Sequence, residues 1–245
     1  MKGLIIALQF MTRIPLGGVK LNITEEEFGG SSRFFPVVGL IIGIILFLIA
    51  KISSVFMSPL VVGALIVVAD IILTGGIHLE GFMDTMDGML SARPKEKVLE
   101  IMKDSRVGAH SVVAVFSLLI LKYSIIISLL NGNLIVGLLL MPVISRWVML
   151  YGITFYPYAR EKGLGKIFWE NTTKNSWYIL TGILLFTLAL LDFRYLMAMA
   201  ITYLVLLTPM IKTSDLLNGL TGDIYGAINE VSQVVFIFIC LLLKI

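Results

Sequence analysis

The sequence predicts an all-α fold: a polytopic membrane helix bundle of about seven transmembrane helices, roughly six to eight, preceded by an N-terminal interfacial or re-entrant helix. Three observations predict it. Hydrophobic residues fill 58% of the 245 positions and charged residues only 14%, against about 45–50% and about 25% in a soluble domain. Mean hydropathy is +0.98. Long apolar runs recur along the whole chain, many of them close to the roughly 20 residues that cross a bilayer. This composition excludes a water-soluble globular enzyme, a disordered protein and a nucleic-acid-binding module. The formal net charge of +3 is too small to argue for an acidic partner. The single cysteine, Cys240, lies in the last apolar run, so no intrachain disulfide forms.

The first element is a short apolar stretch, 3–15. It carries Gln9 and Arg13 and lacks a small-residue cleavage site, so it does not read as a cleavable signal peptide. At about 13 residues it is too short for a span and reads as interfacial or re-entrant. The apolar runs 34–52, 60–79, 107–130, 134–155, 177–191, 195–211 and 227–243 follow as spans. Pro36, Pro142 and Pro209 interrupt them, as membrane helices tolerate. Gly39-x-x-x-Gly43 is read as ordinary backbone crowding in preference to a helix contact. Asp70, mid-span, is costly there and needs a partner inside the bundle, which the sequence does not identify.

The loops divide by charge. Segments 17–33, 80–106, 156–176 and 212–226 carry twelve basic residues, among them Lys20, Arg33, Lys103, Arg106 and Arg160; the opposite side carries three, Lys51, Arg194 and Lys244. The positive-inside rule makes the first side cytoplasmic. No long polar stretch and no internal repeat divides the chain, so residues 1–245 read as one membrane-embedded domain.

The most informative stretch is Gly75-Gly-Ile-His-Leu-Glu80-Gly-Phe-Met-Asp84-Thr-Met-Asp87-Gly-Met-Leu90. Glu80, Asp84 and Asp87 stand at i, i+4 and i+7, within an arc of about 60° on a helix. Like charges on one face repel, and a hard divalent ion such as Mg²⁺ or Mn²⁺ is their natural partner. Residues 95–103 read as a short amphipathic helix with Val98, Leu99 and Met102 on one side. Lys103-Asp104-Ser105-Arg106-x-Gly108 then leads into the next span, whose N-terminus offers backbone N–H groups to an anion. Lys103 and Arg106 add positive charge, and Asp104 is a candidate for the metal shell. Asp223 and Glu230, seven apart, share a face at the start of the last span; Asp223 reads equally as a helix cap or as a site residue. Arg13, Arg33 and Arg146 are further candidates for substrate binding, with snorkelling the simpler account of Arg13 and Arg33. Arg146 lies about nine residues from the predicted cytoplasmic end of its span, about 14 Å deep at 1.5 Å per residue. His78, about 160° from Glu80 on the wheel, suits a hydrogen-bonding role more than ligation. His110 reads as facing the headgroup region. Clustered acids beside Lys and Arg point to metal-assisted phosphoryl or phosphodiester chemistry, with a carboxylate left off the metal as general base.

Two families share these patterns. Asp84-Thr-Met-Asp87-Gly88 resembles the D-x-x-D-G-x-x-A-R opening of the CDP-alcohol phosphotransferases, but Ala92-Arg93 come one residue late and the remaining acids of that motif are missing. The fuller resemblance is to the adenosylcobinamide-GDP ribazoletransferase (cobalamin synthase) family. Five blocks carry it in order: Gln9-Phe-Met-Thr-Arg-Ile-Pro15, Phe35-Pro-Val-Val-Gly-Leu-Ile-Ile-Gly43, Gly75-Gly-x-His-Leu-Glu80-Gly-x-x-Asp84-x-x-Asp87-Gly88, Ile101-Met-Lys-Asp-Ser-Arg-Val-Gly108 and Leu220-Thr-Gly-Asp-x-Tyr-Gly-Ala227. Glu80 stands where many relatives are expected to have Asp, which still supplies a carboxylate.

The resemblance implies a Mg²⁺-dependent transferase joining adenosylcobinamide-GDP to α-ribazole or its 5′-phosphate, with GMP released, late in cobalamin biosynthesis. It implies a cell (inner) membrane protein with its site facing the cytoplasm. The expected roles are Glu80, Asp84, Asp87 and Asp104 as Mg²⁺ ligands, Asp84 and Asp104 as catalytic carboxylates, and Lys103 and Arg106 on the diphosphate and the departing GMP. Arg13, Arg33, Arg146 and Asp223 complete the expected substrate contacts. Membrane lipid is an expected partner, nucleic acid is not, and other cobalamin-pathway enzymes or a second copy of the chain are compatible ones. Two competing readings are a CDP-alcohol-type phosphotransferase acting on a lipid and an ion-coupled transporter. The transporter reading predicts acids near the midplane and repeated broken helices, whereas most acids here gather at one predicted rim.

Overall fold

A computed structural model describes residues 2–16, 22–132 and 134–245. Lys20, counted above among the basic loop residues, lies outside them. The described residues form α1 (Lys2–Met11), α2 (Glu25–Gly30), α3 (Phe35–Ser53), α4 (Pro59–Thr74), α5 (Ile77–Leu90), α6 (Lys95–Ile101), α7 (Ala109–Asn131), α8 (Val136–Phe155), α9 (Leu164–Asn171), α10 (Lys174–Leu191), α11 (Phe193–Leu217) and α12 (Gly222–Leu243). Six helical segments among them are long and apolar enough to cross a membrane, and α4 with α5 makes a seventh if that bent pair is one span. The all-α membrane bundle expected from composition is therefore the fold.

The predicted run 60–79 is the one that departs from a single helix. It breaks at Gly75 and Gly76, whose φ angles of 64° and 73° lie in the left-handed region that glycine adopts without steric cost. The two halves meet at 92°. A side chain on Gly75 would also collide with Arg13, whose backbone N–H bonds the Leu73 carbonyl at 2.7 Å. Helix α5, with the three carboxylates, thus turns away from α4 and lies across the starts of α7 and α12.

Helix α8 is the buried centre, with α3 and α12 packed against it. Gly39 and Gly43 of α3 lie directly on the Pro142 and Leu139 backbone carbonyls of α8. The pair is a close helix contact, which corrects the reading of it as mere crowding: any Cβ there would hold the two backbones apart. On the other flank, Trp147 stacks on Trp177 at 5.5 Å and Tyr151 meets Tyr203 edge-on at 4.9 Å, fixing α10 and α11 to α8. Near the N-terminus, Thr24 and Glu27 form a reciprocal capping box that starts α2, and Lys2 reaches Glu27 at 2.6 Å.

The partner that Asp70 requires is Lys122 of α7, at 2.6 Å. Lys122 also lies 3.5 Å from Glu230 of α12. Arg146 of α8 is fully buried beside them, close enough to feel both carboxylates, and its Nη1 donates to the Pro142 carbonyl at 3.1 Å. Asn229 extends the network, bonding Ser145 at 3.0 Å and Glu230 at 3.3 Å. Arg146 is therefore an interior charge, and its Nε and Nη2 have no hydrogen-bond partner among the described residues.

Removing one member of such a network leaves buried charge uncompensated, which costs about 3–5 kcal/mol. Lys122→Met is expected to lower the thermal unfolding midpoint of detergent-purified protein sharply. Asp70→Asn combined with Lys122→Met should recover part of that loss, and scanning fluorimetry reads both.

Candidate active site

Five segments meet at one end of the bundle: α5, the 102–108 turn into α7, residues 156–163, the start of α9 and the α11–α12 turn. Leu220 ties two of them together. Its N–H donates to the Pro157 carbonyl and its carbonyl accepts from the Ala159 N–H, both at 2.8 Å. This short bridge fixes the chain that carries Arg160. Thr221 caps α12 by accepting from the Ile224 N–H at 3.3 Å. Asp223, read from sequence as equally a cap or a site residue, is ion-paired to Arg160 at 2.6 Å and lines the first cavity described below.

Two cavities open here. The first, about 340 Å³, is lined by Glu80, Asp84, Arg160 and Asp223 on one side and by Phe10, Phe35 and Phe168 on another. The second, about 470 Å³, is lined by Glu80, Asp84, Asp87, Lys103, Asp104 and Arg106. Glu80 and Asp84 border both, so the face that α5 turns outward is the wall between them.

The carboxylates of that wall are not equivalent. Asp87 accepts from the Gly108 N–H at 2.8 Å and from the Ser111 N–H at 2.9 Å. Burial pushes its carboxyl up, but hydrogen bonding from Ser111 and Gly108 outweighs this and holds it below the usual range. The helix N-terminus expected to receive an external anion is thus occupied by the protein's own Asp87. Asp84 makes no hydrogen bond or ion pair among the described residues. Burial first, then the nearby Asp223 and Glu80, push its carboxyl up to about 6. Asp104 is half-buried and grips Arg106 at 2.6 Å. That hydrogen-bonded pairing holds its carboxyl at about 2.

No three His, Cys, Asp or Glu side chains among the described residues converge on one metal-sized point. Glu80, Asp84, Asp87 and Asp104 share one cavity without forming a closed cage. Lys103 and Arg106 stand in it as expected. Arg13 rests on Gly75 at the α4–α5 break, at the margin. Arg33 lies over the Phe34 ring at 5.1 Å and lines neither cavity. His110 is exposed. His78 and Tyr225 line the first cavity. Arg160 and Tyr225 were given no role from sequence; Arg160 stands in the loop just before α9, and Tyr225 lies within the Leu220–Ala227 block.

A profile of the family described as Cobalamin-5-phosphate synthase matches residues 3–241. The chain belongs to that family. It is 44% identical to an adenosylcobinamide-GDP ribazoletransferase of Desulfitobacterium hafniense (strain Y51), over 97% of this chain and 95% of the relative. It is 40% identical to one of Acetivibrio thermocellus, over 100% and 99%, and 35% identical to one of Clostridium novyi (strain NT), over 100% and 98%. No solved structure matches. The match spans all the elements that build the two cavities, so the site described here belongs to the part of the chain the family shares.

Asp87→Ala deprives the start of α7 of two acceptors, a capping loss of about 0.5–2 kcal/mol. A lowered melting temperature is expected, with faster proteolysis of the 103–108 turn. Asp87→Asn, which keeps one acceptor oxygen, should fall between it and the wild type.

Proposed function

We infer that this chain carries out the reaction for which its relatives are named, joining adenosylcobinamide-GDP to α-ribazole or its 5′-phosphate in cobalamin biosynthesis. The observation that supports this most directly is the wall of Glu80 and Asp84 between two cavities, one lined by carboxylates with Lys103 and Arg106 and one lined by aromatic rings. A two-substrate transfer at phosphorus needs such a plan. The ribose hydroxyl of the acceptor attacks the phosphorus on the cobinamide side, a new P–O bond forms, the phosphoanhydride P–O bond breaks and GMP leaves. The hydroxyl proton passes to Asp84, whose carboxyl near 6 suits a general base at neutral pH. Lys103 and Arg106, on the second cavity, bind the diphosphate and the departing phosphate.

The donor set also suits Mg²⁺. That ion takes one or two carboxylates and completes its octahedron with water and substrate phosphate oxygens, so it needs no closed cage of protein ligands. Glu80 and Asp104 would hold it at the second cavity, where it would neutralise charge on the diphosphate. Asp87, committed to α7, serves to position the 103–108 turn.

The cavities lie at the end of the bundle that carries Arg93, Lys95, Lys97, Lys103, Arg106 and Arg160, and a basic rim of this kind is cytoplasmic by the positive-inside rule. Exposed Ile179, Ile183, Phe186 and Leu190 on α10 suit contact with lipid.

Purified protein in detergent is expected to release GMP from adenosylcobinamide-GDP only when α-ribazole or its phosphate is present, and not from a CDP-linked donor. Asp84→Ala should lower kcat by about 10²–10⁴-fold, the usual loss of a general base; undiminished turnover would remove Asp84 from the mechanism. A second prediction needs no turnover. Asp84 is protonated below about 6 and ionised above, and a cation nearby favours the ionised form. Mg²⁺ should therefore stabilise the protein against heat more at pH 8 than at pH 5, and Asp84→Asn should remove most of that difference.

A further inference from the structure

The first cavity contains a second pattern that its carboxylate wall does not account for. Phe10, Phe35 and Phe168 form one aromatic cluster, with ring centroids 5.0–6.2 Å apart, and all three line the cavity. Across from them stand two buried polar groups without partners. His78 is 5% exposed and Tyr225 4% exposed, and neither His78 Nε2 nor Tyr225 Oη has a hydrogen-bond partner among the described residues. An unpaired buried polar group costs about 1–3 kcal/mol. Two of them on one cavity point to a ligand whose hydroxyls complete them.

We propose that this cavity is the acceptor-nucleoside site, taking a flat, apolar, bicyclic base among Phe10, Phe35 and Phe168 and its ribose against His78 and Tyr225. The inference rests on the transferase reading above and gives its acceptor a place. The aromatic end selects the base. Met149 and Ile153 share that end with the three rings. A guanine there would bury its amide and amino edge with no donor or acceptor to answer it. A dimethylbenzimidazole-like base has no such edge and gains from stacking and burial. The guanosine of the donor is thereby directed to the polar second cavity, on the other side of the wall. The ribose end adjoins Asp84, which borders both cavities, so the nucleophilic hydroxyl and its base share one wall with the phosphorus it attacks. Arg160, half-buried and paired to Asp223, has a free Nε at the same end, placed to hold the acceptor's phosphate where it carries one.

Gly222 allows a clean test. It lines the cavity, and a Cβ on it meets no atom within 4 Å, so a side chain can start there without displacing protein and extends into the cavity's volume. Gly222→Leu is expected to raise KM for α-ribazole about tenfold or more, and Tyr225→Phe by about 2–12-fold, the value of one hydrogen bond. Tyr225→Phe keeps the ring, so it remains informative if Gly222→Leu fails to fold. KM for adenosylcobinamide-GDP should be unchanged in both. Equilibrium dialysis with α-ribazole alone provides a readout independent of turnover: wild type should bind it saturably without donor, and Gly222→Leu should bind it weakly or not at all. Wild-type turnover with the α-ribazole KM unmoved by either variant overturns the cavity assignment and leaves the reaction standing. So does a rise confined to the donor KM. Binding of α-ribazole that Gly222→Leu abolishes, in a protein that forms no product, upholds the cavity and overturns the reaction.

Discussion

One ammonium group inside the bundle fixes where everything at the site can be. Lys122 Nζ lies 2.6 Å from Asp70 and 3.5 Å from Glu230, and those three residues belong to α7, α4 and α12. Burying an ion costs several kcal/mol unless a partner is held in good geometry. The three helices are therefore locked in depth and rotation: sliding α4 by one turn, about 5.4 Å, would leave the charges apart. Asp70 stands just before the Gly75–Gly76 break. Whatever fixes α4 fixes the hinge from which α5 departs, and α5 carries the carboxylates. Asp87 closes the loop by gripping the first turn of α7. Helix α5 is thus held at its start through the covalent hinge and near its end by hydrogen bonds, between two helices that Lys122 has already brought into register.

This double attachment explains how three carboxylates in one small region acquire different chemistries. Asp87 is held down by backbone N–H groups and Ser111, Asp104 by Arg106, and Asp84 is pushed up because burial and its acidic neighbours outweigh the pull of Arg160. Identical side chains at helical spacing are separated by what each one faces. The face of α5 that looks uniform on a helical wheel spans a helix cap at one end and the wall between two cavities at the other.

The same contrast marks what the sequence revealed. Span positions were legible because each depends on local composition: the runs 34–52 and 134–155 reappear as Phe35–Ser53 and Val136–Phe155. The carboxylate face was legible because i, i+4, i+7 is a property of one helix. The interactions that organise the molecule join residues far apart in the chain. Lys122 sat unnoticed within an apolar run, since its value depends on Asp70, 52 positions earlier. Arg146 was legible as deep in its span, but depth alone does not show which acids lie beside it. The 92° turn was missed because paired glycines announce freedom without direction. Arg160 carried no periodic signal, and only the Leu220 bridge brings it to Asp223.

The apolar composition then takes on a chemical meaning within the proposed reaction. Burial in the bundle pushes the Asp84 carboxyl up and leaves His78 and Tyr225 with unmatched polar atoms. Coulomb interactions strengthen as the surrounding dielectric falls. A proton acceptor and a diphosphate held across one wall therefore interact more strongly here than they would on a hydrated surface. Lys103 and Arg106 line the second cavity, where they meet the charge of the donor's diphosphate. The first cavity, with its three phenylalanine rings, is left to an acceptor whose base has little hydration to lose. Placing the wall at the boundary between these environments lets one helix face serve both substrates, and it requires that the helix be bent out of the membrane span that precedes it.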